Sequence, residues 1–453
     1  MLRMTDMGST DLRLGLVPLA RPTFDTELAA RVTDQLRSHL EQAGFSVAGP
    51  RALVSSLDEA TRVAQALAED ALDMLLVFQA TFADSTMLMD LAQAVDAPLL
   101  LWAVPEARTG DRLRLNSFCG INLGAHALKR AGYRYDYVYA KPGDPAALER
   151  VCTLALAGRA RRLLHQARVG RIGENPDGFD SCKLDRDALR RTFGLEIVQV
   201  DLETVFQGAR TADAEAVDAV LEDLSSRLDS LSQVDQTALR GTLEAYVTMQ
   251  RLAEQERLDG LAVRCWPEFF TELGCAACGA MSMLSGELTP CSCEADVNGT
   301  ITQLILQWLS GQPAFGTDMV SLDVERDGII LWHCGLAPLA MADPVTRPRA
   351  TIHSNRNLPL LMEFPLKPGR VTIARLSEAT GGYRLVVGSG EMLRAPLSFS
   401  GTSGVLRFDR PAAEVLDVIL TEGLEHHISL TYGDCVPALL ALAEMLGLPV
   451  LRL

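Results

Sequence analysis

The spacing of apolar and polar positions divides the chain into three textures. Over residues 1–165, apolar runs of strand length alternate with runs of helical spacing: "LRLGLVPLA", then "TELAARVTDQLRSHLEQAG", then "ALDMLLVFQ", and later "APLLLWAVPE". That alternation predicts a parallel sheet covered by helices. The loop "FQATFADST" follows one of the strands, and loops at the carboxyl ends of such strands are where open α/β sheets bind ligands. A second α/β unit, 166–310, opens with a short strand that runs into the turn cluster of "HQARVGRIGENPDGFD". Two helices are expected over 212–230 and 236–258, the first carrying Val217, Val220, Leu221, Leu224 and Leu228 on one stripe. "DGLAVRCWPEFF" reads as a further buried strand ending in a loop. Beyond residue 310 the texture becomes strands, "MVSLDVERDGIILWHCG", "GRVTIARL", "YRLVVGSGEML" and "GVLRFDR", closed by the helical "VPALLALAEMLG". The expected architecture is therefore α/β throughout 1–310, in two domains, followed by a β-rich, barrel-like domain over 311–453.

Composition narrows the class of partner. The chain has 453 residues, 48% of them hydrophobic and 22% charged, enough for several domains that each bury a core without metal or disulfides. A net charge of −16 with scattered arginines argues against nucleic acid and against an acidic membrane surface. The start, "MLRMTDMGSTDLRLGLVPLA", has no apolar core of signal-peptide length, and no later run is long and apolar enough to span a bilayer. A cytoplasmic protein is expected, and ten cysteines without a small-scaffold disulfide pattern agree with a reducing compartment.

Four of those cysteines stand close together, Cys275, Cys278, Cys291 and Cys293, in "CAACGAMSMLSGELTPCSCEAD". They satisfy the ligand count of a structural zinc site. The helix-compatible residues around the first pair, and the small gain that a staple offers so large a chain, favour buried thiols instead. If "PCSCEAD" runs extended, Cys291 and Cys293 face one way, and Ser292, Glu294 and Asp296 the other. A stripe of Val297, Ile301, Leu304, Ile305 and Trp308 follows, so Asp296 stands where a helix begins, as an N-cap or as a ligand. Other candidates lie far off in sequence: Glu268 after Trp266 and Pro267, His333 in "IILWHCGLAP", and His426 and His427 in "EHHISLTYGD". An extended segment would turn these last two to opposite faces, one to bind and one to pack or touch substrate. Carboxylates and imidazoles without thiolate suit a divalent ion such as Mn²⁺, which polarises substrate oxygens.

With these residues in view, the sequence resembles the L-fucose isomerase and L-arabinose isomerase superfamily, in its shorter branch. The matching stretches are "RCWPEFF", "CSCEADVNGTITQLILQWLSG", "LWHCGLAP", "KPGRVTIARL" and "EHHISLTYGD", in the family's order, with weaker likeness in "FQATFAD", "NSFCGINLGAHAL" and "GRIGENPDGFD". The resemblance implies two flavodoxin-like α/β domains before the β-rich one, and a Mn²⁺-dependent aldose–ketose isomerase, other divalent cations being possible. It implies Glu268 and Asp296 as metal carboxylates that also move the proton, with Glu294 in reserve, His427 as the metal histidine, and His333 as a further ligand used in the arabinose branch. It also implies a homo-oligomer, trimer or hexamer, with sites at subunit interfaces completed by the N-terminal domain of a neighbour; Arg21, Gln79 and Phe82, on strand-end loops, are the candidates to serve there. Trp266, Glu294, Arg356 and His426 are the remaining candidates for contacts to a small sugar, Arg356 for an anionic group on it unless it forms an ordinary surface ion pair. The competing readings are a metal-dependent aldolase or epimerase using the same residues, and a non-catalytic sugar-binding protein.

Overall fold

A computed structural model describes residues 12–453, so residues 1–11, on which part of the signal-peptide expectation falls, lie outside the described residues. The chain divides into two compact units that part at Leu163 and Leu164. The N-terminal unit is built on strands β1 (Arg13–Leu19), β2 (Ser46–Ala48), β3 (Met74–Gln79), β4 (Leu99–Ala103) and β5 (Asp136–Tyr139). All pair in parallel, in the order β2-β1-β3-β4-β5. This is the flavodoxin-like order. β3 and β4 are buried along their whole length, and apolar except for Gln79, because helices cover both faces of a parallel sheet. Those helices begin where short polar residues take up free amide groups: Asp25, Ser56 and Asp84 each accept a hydrogen bond from the first turn that follows. At the carboxyl ends of the strands stand Gln79, buried at the end of β3, and Arg21, which pairs with Asp84 at 3.0 Å and lies over the ring of Phe82.

The second unit, residues 164–453, holds two sheets. β6 (Arg168–Ile172), β7 (Glu196–Val200), β8 (Gly260–Val263) and β9 (Cys291–Ser292) form a parallel sheet in the order β7-β6-β8-β9. β10 (Phe315–Asp323), β11 (Gly328–His333), β12 (Arg349–Thr351), β13 (Leu361–Pro365), β14 (Gly369–Ser377), β15 (Arg384–Leu393), β16 (Thr402–Phe408), β17 (His427–Tyr432) and β18 (Val450–Arg452) form the other. Within it β16, β11, β10, β17, β14 and β15 pair antiparallel in turn, and β15 returns to β16, which closes a barrel. The expected fold class is observed: parallel α/β sheets, then an antiparallel barrel.

Helix Val297–Ser310 explains why the change of texture at residue 310 is not a break in packing. Nearly all its residues are buried, and it packs against β8 on one side and against β14 and β17 of the barrel on another. One hydrophobic core accordingly runs from Ile172 through Leu261, Phe315 and Val371 to Leu453. Among the described residues no helix is long and apolar enough to cross a membrane.

Candidate active site

Three backbone features bring the candidate side chains of the second unit together. The first is the turn after β9. The stretch expected to run extended does so only over Cys291–Ser292; Glu294 and Ala295 then take left-handed conformations, with φ of 60° and 54°. Two such non-glycine residues in a row cost roughly 1–3 kcal/mol each. Their effect is to swing Glu294 out of the pleat while Asp296 starts helix Val297–Ser310 as its N-cap, accepting from the amide of Gly299 at 2.9 Å. A side chain at 299 would obstruct this, since a Cβ there would meet Asp296 Oδ2 at 2.7 Å.

The second feature is strand register. Asp318 on β10 and His427 on β17 are direct cross-strand partners, so their side chains stand side by side on one face. The third is the bend before β17. His426 precedes the strand, so the two histidines do not face opposite ways as expected; their ring centroids lie 4.0 Å apart.

The result is a convergence on His427. Its Nδ1 lies 3.0 Å from Asp296 Oδ2, and its Nε2 lies 3.8 Å from Glu294 Oε2 and 3.6 Å from Asp318 Oδ1. Burial alone would raise the Asp296 carboxyl, but the Arg375 charge and the bond from His427 hold it well below the usual carboxylate range. An ionised carboxylate only accepts, so Nδ1 of His427 carries a proton, and Nε2 is the nitrogen whose lone pair a cation would take. Nε2 faces two carboxylates. Asp318 Oδ1 is buried and has no hydrogen-bond partner, which is costly for a carboxylate oxygen unless a cation completes it. Donor separations of 3.6 and 3.8 Å are close to what a shared cation needs, since two bonds of roughly 2.1 Å at an open angle place their donors about 3.5 Å apart. Glu294, Asp318 and Nε2 of His427 fit a divalent ion.

Cys182 and His426 crowd the same place; with Glu294 and His427 they each offer an atom within 4.8 Å of the others. Both are otherwise engaged. Burial and the nearby carboxylates push the Cys182 thiol far up, so it keeps its proton and donates to Glu294 Oε2 at 3.7 Å. His426 is exposed, bonded to Ser181 through Nδ1 at 2.8 Å and to Glu294 Oε2 through Nε2 at 3.2 Å. Trp266 donates its indole N–H to Glu294 Oε1 at 3.2 Å. For Glu294 burial is again the largest influence and raises its carboxyl; the bonds from His426 and Trp266 and the neighbouring imidazole charge outweigh it and keep the group ionised.

The residues expected from sequence take different places. Asp296 reaches the cluster, and its two oxygens are bonded to Arg375, at 2.5 and 3.1 Å, to His427 and to the Gly299 amide. Glu268 is gripped by Arg264 Nε through both oxygens, at 2.9 and 2.8 Å, and no hydrogen bond or ion pair links it to His427 or Glu294. Glu294, the reserve carboxylate, takes the central place. His333 lies beside His427, ring centroids 6.0 Å apart, but is buried with Nδ1 accepting from the Cys334 amide. Arg356 forms no ion pair among the described residues; its guanidinium lies over the rings of Trp266 and Phe270, at 4.9 and 5.2 Å. Arg21, Gln79 and Phe82 belong to the N-terminal unit described above.

Asp318, Arg375 and Cys182 were not singled out in the sequence. For Asp318 the missing information was register: only the pairing of "FGTDMVSLD" with "HISLTY" sets it opposite His427. The clustered cysteines take separate partners. Cys293 Sγ lies 2.8 Å from Cys265, Cys278 Sγ 3.3 Å from Cys334, and Cys291 Sγ 3.5 Å from the Thr289 carbonyl. All of these cysteines are buried.

Known proteins resemble the chain along almost all its length. A family profile described as fucose/sulfoquinovose isomerase, N-terminal domain, matches residues 15–152, and one described as L-fucose isomerase, C-terminal domain, matches residues 362–453. A sulfoquinovose isomerase of Alkalicoccus urumqiensis is 32% identical over 441 residues, which is 96% of this chain and 98% of the relative. One of Priestia aryabhattai is 31% identical over 435 residues, 95% and 97% of the two chains. One of Clostridium sp. (strain MSTE9) is 28% identical over 443 residues, 97% and 98%.

Proposed function

We propose, from the premise that the chain belongs to the fucose/sulfoquinovose isomerase family and is an aldose–ketose isomerase, that it interconverts sulfoquinovose and the corresponding 2-ketose through an enediol, with a divalent cation of the Mn²⁺ type at Glu294, Asp318 and His427. The observation that carries the cation assignment is the pair of carboxylates facing Nε2 of His427, one of them with a buried oxygen left unpartnered. The substrate follows the relatives, which are sulfoquinovose isomerases.

A cation so held would supply positive charge at the two substrate oxygens, where negative charge develops as carbon loses its proton. The chain's own residues do the rest. Glu294, kept ionised, takes the proton from C2 of the open-chain aldose and returns it to C1, while the second proton passes from the C2 hydroxyl to the C1 oxygen. His426 and Trp266 hold the two oxygens of Glu294 and so orient its free lone pairs. Asp296, locked by Arg375, keeps His427 in the tautomer that presents Nε2. Glu268 and His333 support the wall of the site in this scheme; an epimerase would share the proton transfer from C2, whereas an aldolase would instead deprotonate the C3 hydroxyl and break the C2–C3 bond.

The test is product analysis. Purified protein with Mn²⁺ and sulfoquinovose is expected to yield the ketose by NMR, with one deuterium entering at C1 in D₂O and activity lost on chelation. Shorter products would favour an aldolase, a second aldose an epimerase, and unchanged sugar that nevertheless binds would leave a sugar-binding protein.

A further inference from the structure

Three arginines of the second unit lie in or against the walls of this site, and two are paired with carboxylates: Arg375 with Asp296, and Arg264 with Glu268. The third, Arg356, is half-buried in the turn between β12 and β13 and has no carboxylate within 4.0 Å among the described residues. It is held by other means. One face of its guanidinium lies over the Trp266 ring and it also packs on Phe270, while Nη1 reaches His353 Nε2 at 3.2 Å. His353 is itself packed edge-on against Phe270, with ring centroids 5.2 Å apart.

This is a prepared cation without a counter-ion. Aromatic faces attract a guanidinium but accept no in-plane hydrogen bond, and a guanidinium offers five N–H donors in a rigid fork. One donor is used by His353. His353 cannot supply negative charge, and burial together with Arg356 pushes it down to about 4, so at neutral pH it stays uncharged and leaves Arg356 the local cation. The remaining edge of the fork suits a flat or tetrahedral oxyanion gripped through two oxygens. Its distance from the reacting carbons is set by one ring, since Trp266 donates to Glu294 through its indole N–H and carries Arg356 on its face.

We infer that Arg356 is the specificity-determining residue of the site, binding an anionic substituent on the sugar carbon farthest from the carbons that exchange the proton. This rests on the isomerase reading above and adds what selects the substrate. The rings and His353 hold the guanidinium in place before substrate arrives, so little conformational freedom is lost when the oxyanion docks.

The experiment compares kcat/KM of the Mn²⁺-loaded wild type, Arg356→Gln and Arg356→Lys on three sugars. These are sulfoquinovose, quinovose, which is the same sugar without the sulfonate, and glucose 6-phosphate. Wild type is expected to prefer an anionic sugar to quinovose. Arg356→Gln should reduce that preference by about 100-fold, chiefly through KM, as the loss of a charge-assisted pair of bonds requires. Arg356→Lys, which keeps the charge and loses the fork, should fall between. If Arg356→Gln keeps the wild-type preference for sulfoquinovose, the isomerase reading stands and this inference falls. If wild type selects glucose 6-phosphate over sulfoquinovose and does so through Arg356, the named substrate falls and this inference stands. No preference for either anionic sugar in the wild type overturns both.

Discussion

Nδ1 of His427 and Oδ2 of Asp296 lie 3.0 Å apart, and this bond decides which nitrogen of the imidazole faces the centre of the site. A carboxylate behind a metal-binding histidine fixes its tautomer and strengthens it as a ligand. Asp296→Asn preserves shape but removes the charge, and it should weaken binding of Mn²⁺ by about 10–100-fold; because it also strands the buried Arg375, its unfolding midpoint is measured beside the titration to separate lost affinity from lost fold. Calorimetric titration of the variant with Mn²⁺ checks this.

Arg375 is buried to 2% side-chain exposure and is the main counter-charge of Asp296. Replacing it by Met strands a buried carboxylate, and the expected cost is about 3–5 kcal/mol in urea unfolding. The double variant Arg375→Met with Asp296→Asn should recover part of that loss. If the two changes simply add, the pair is not coupled as described.

Gly299 sits where a Cβ would come within 2.7 Å of Asp296 Oδ2 and 2.9 Å of Ser292 Oγ. Gly299→Ala must therefore displace the cap. Its expected signature is loss of isomerase activity out of proportion to a stability change of about 1–3 kcal/mol. Parallel measurement of turnover and of the unfolding midpoint separates the two effects.

His353 gives the protein an acid-sensitive point away from Glu294, Asp318 and His427. Its folded value, about 4, lies below the ordinary 6.5, because burial and Arg356 disfavour the charged ring. The unfolded chain therefore binds this proton first as pH falls. The stability tied to the neutral ring is fully present above pH 6.5 and is lost progressively as pH falls toward about 4. Unfolding midpoints measured across that window should drop less steeply in His353→Gln than in the wild type.

Much of the fold could be read from periodicity. The alternation over 1–165 gave the parallel sheet and its covering helices, and the helices expected over 212–230 and 236–258 are observed as Ala214–Arg227 and Gln236–Glu256. The N-cap role of Asp296 was legible for the same reason, being local. What escaped depends on non-local or irregular structure. Pleat geometry placed Glu294 beside Asp296 on one face, whereas two left-handed residues send the two acids to different tasks. Asp318 reads as one acid among many until β10 pairs with β17. Glu268, expected as a ligand by resemblance, has its carboxylate paired with an arginine four residues earlier in the loop after β8. The texture change at 310 suggested a boundary because sheet type changes there, but the buried helix Val297–Ser310 joins the cores on either side.

The assignment of Glu294, Asp318 and His427 to one divalent cation is tested most directly by Mn²⁺ titration of Asp318→Asn beside Glu268→Gln, followed by calorimetry and by the electron paramagnetic resonance of free Mn²⁺. Glu268→Gln should bind one ion per chain with near wild-type affinity, and Asp318→Asn should lose at least about 10-fold. Wild-type affinity in Asp318→Asn together with a large loss in Glu268→Gln would contradict the account.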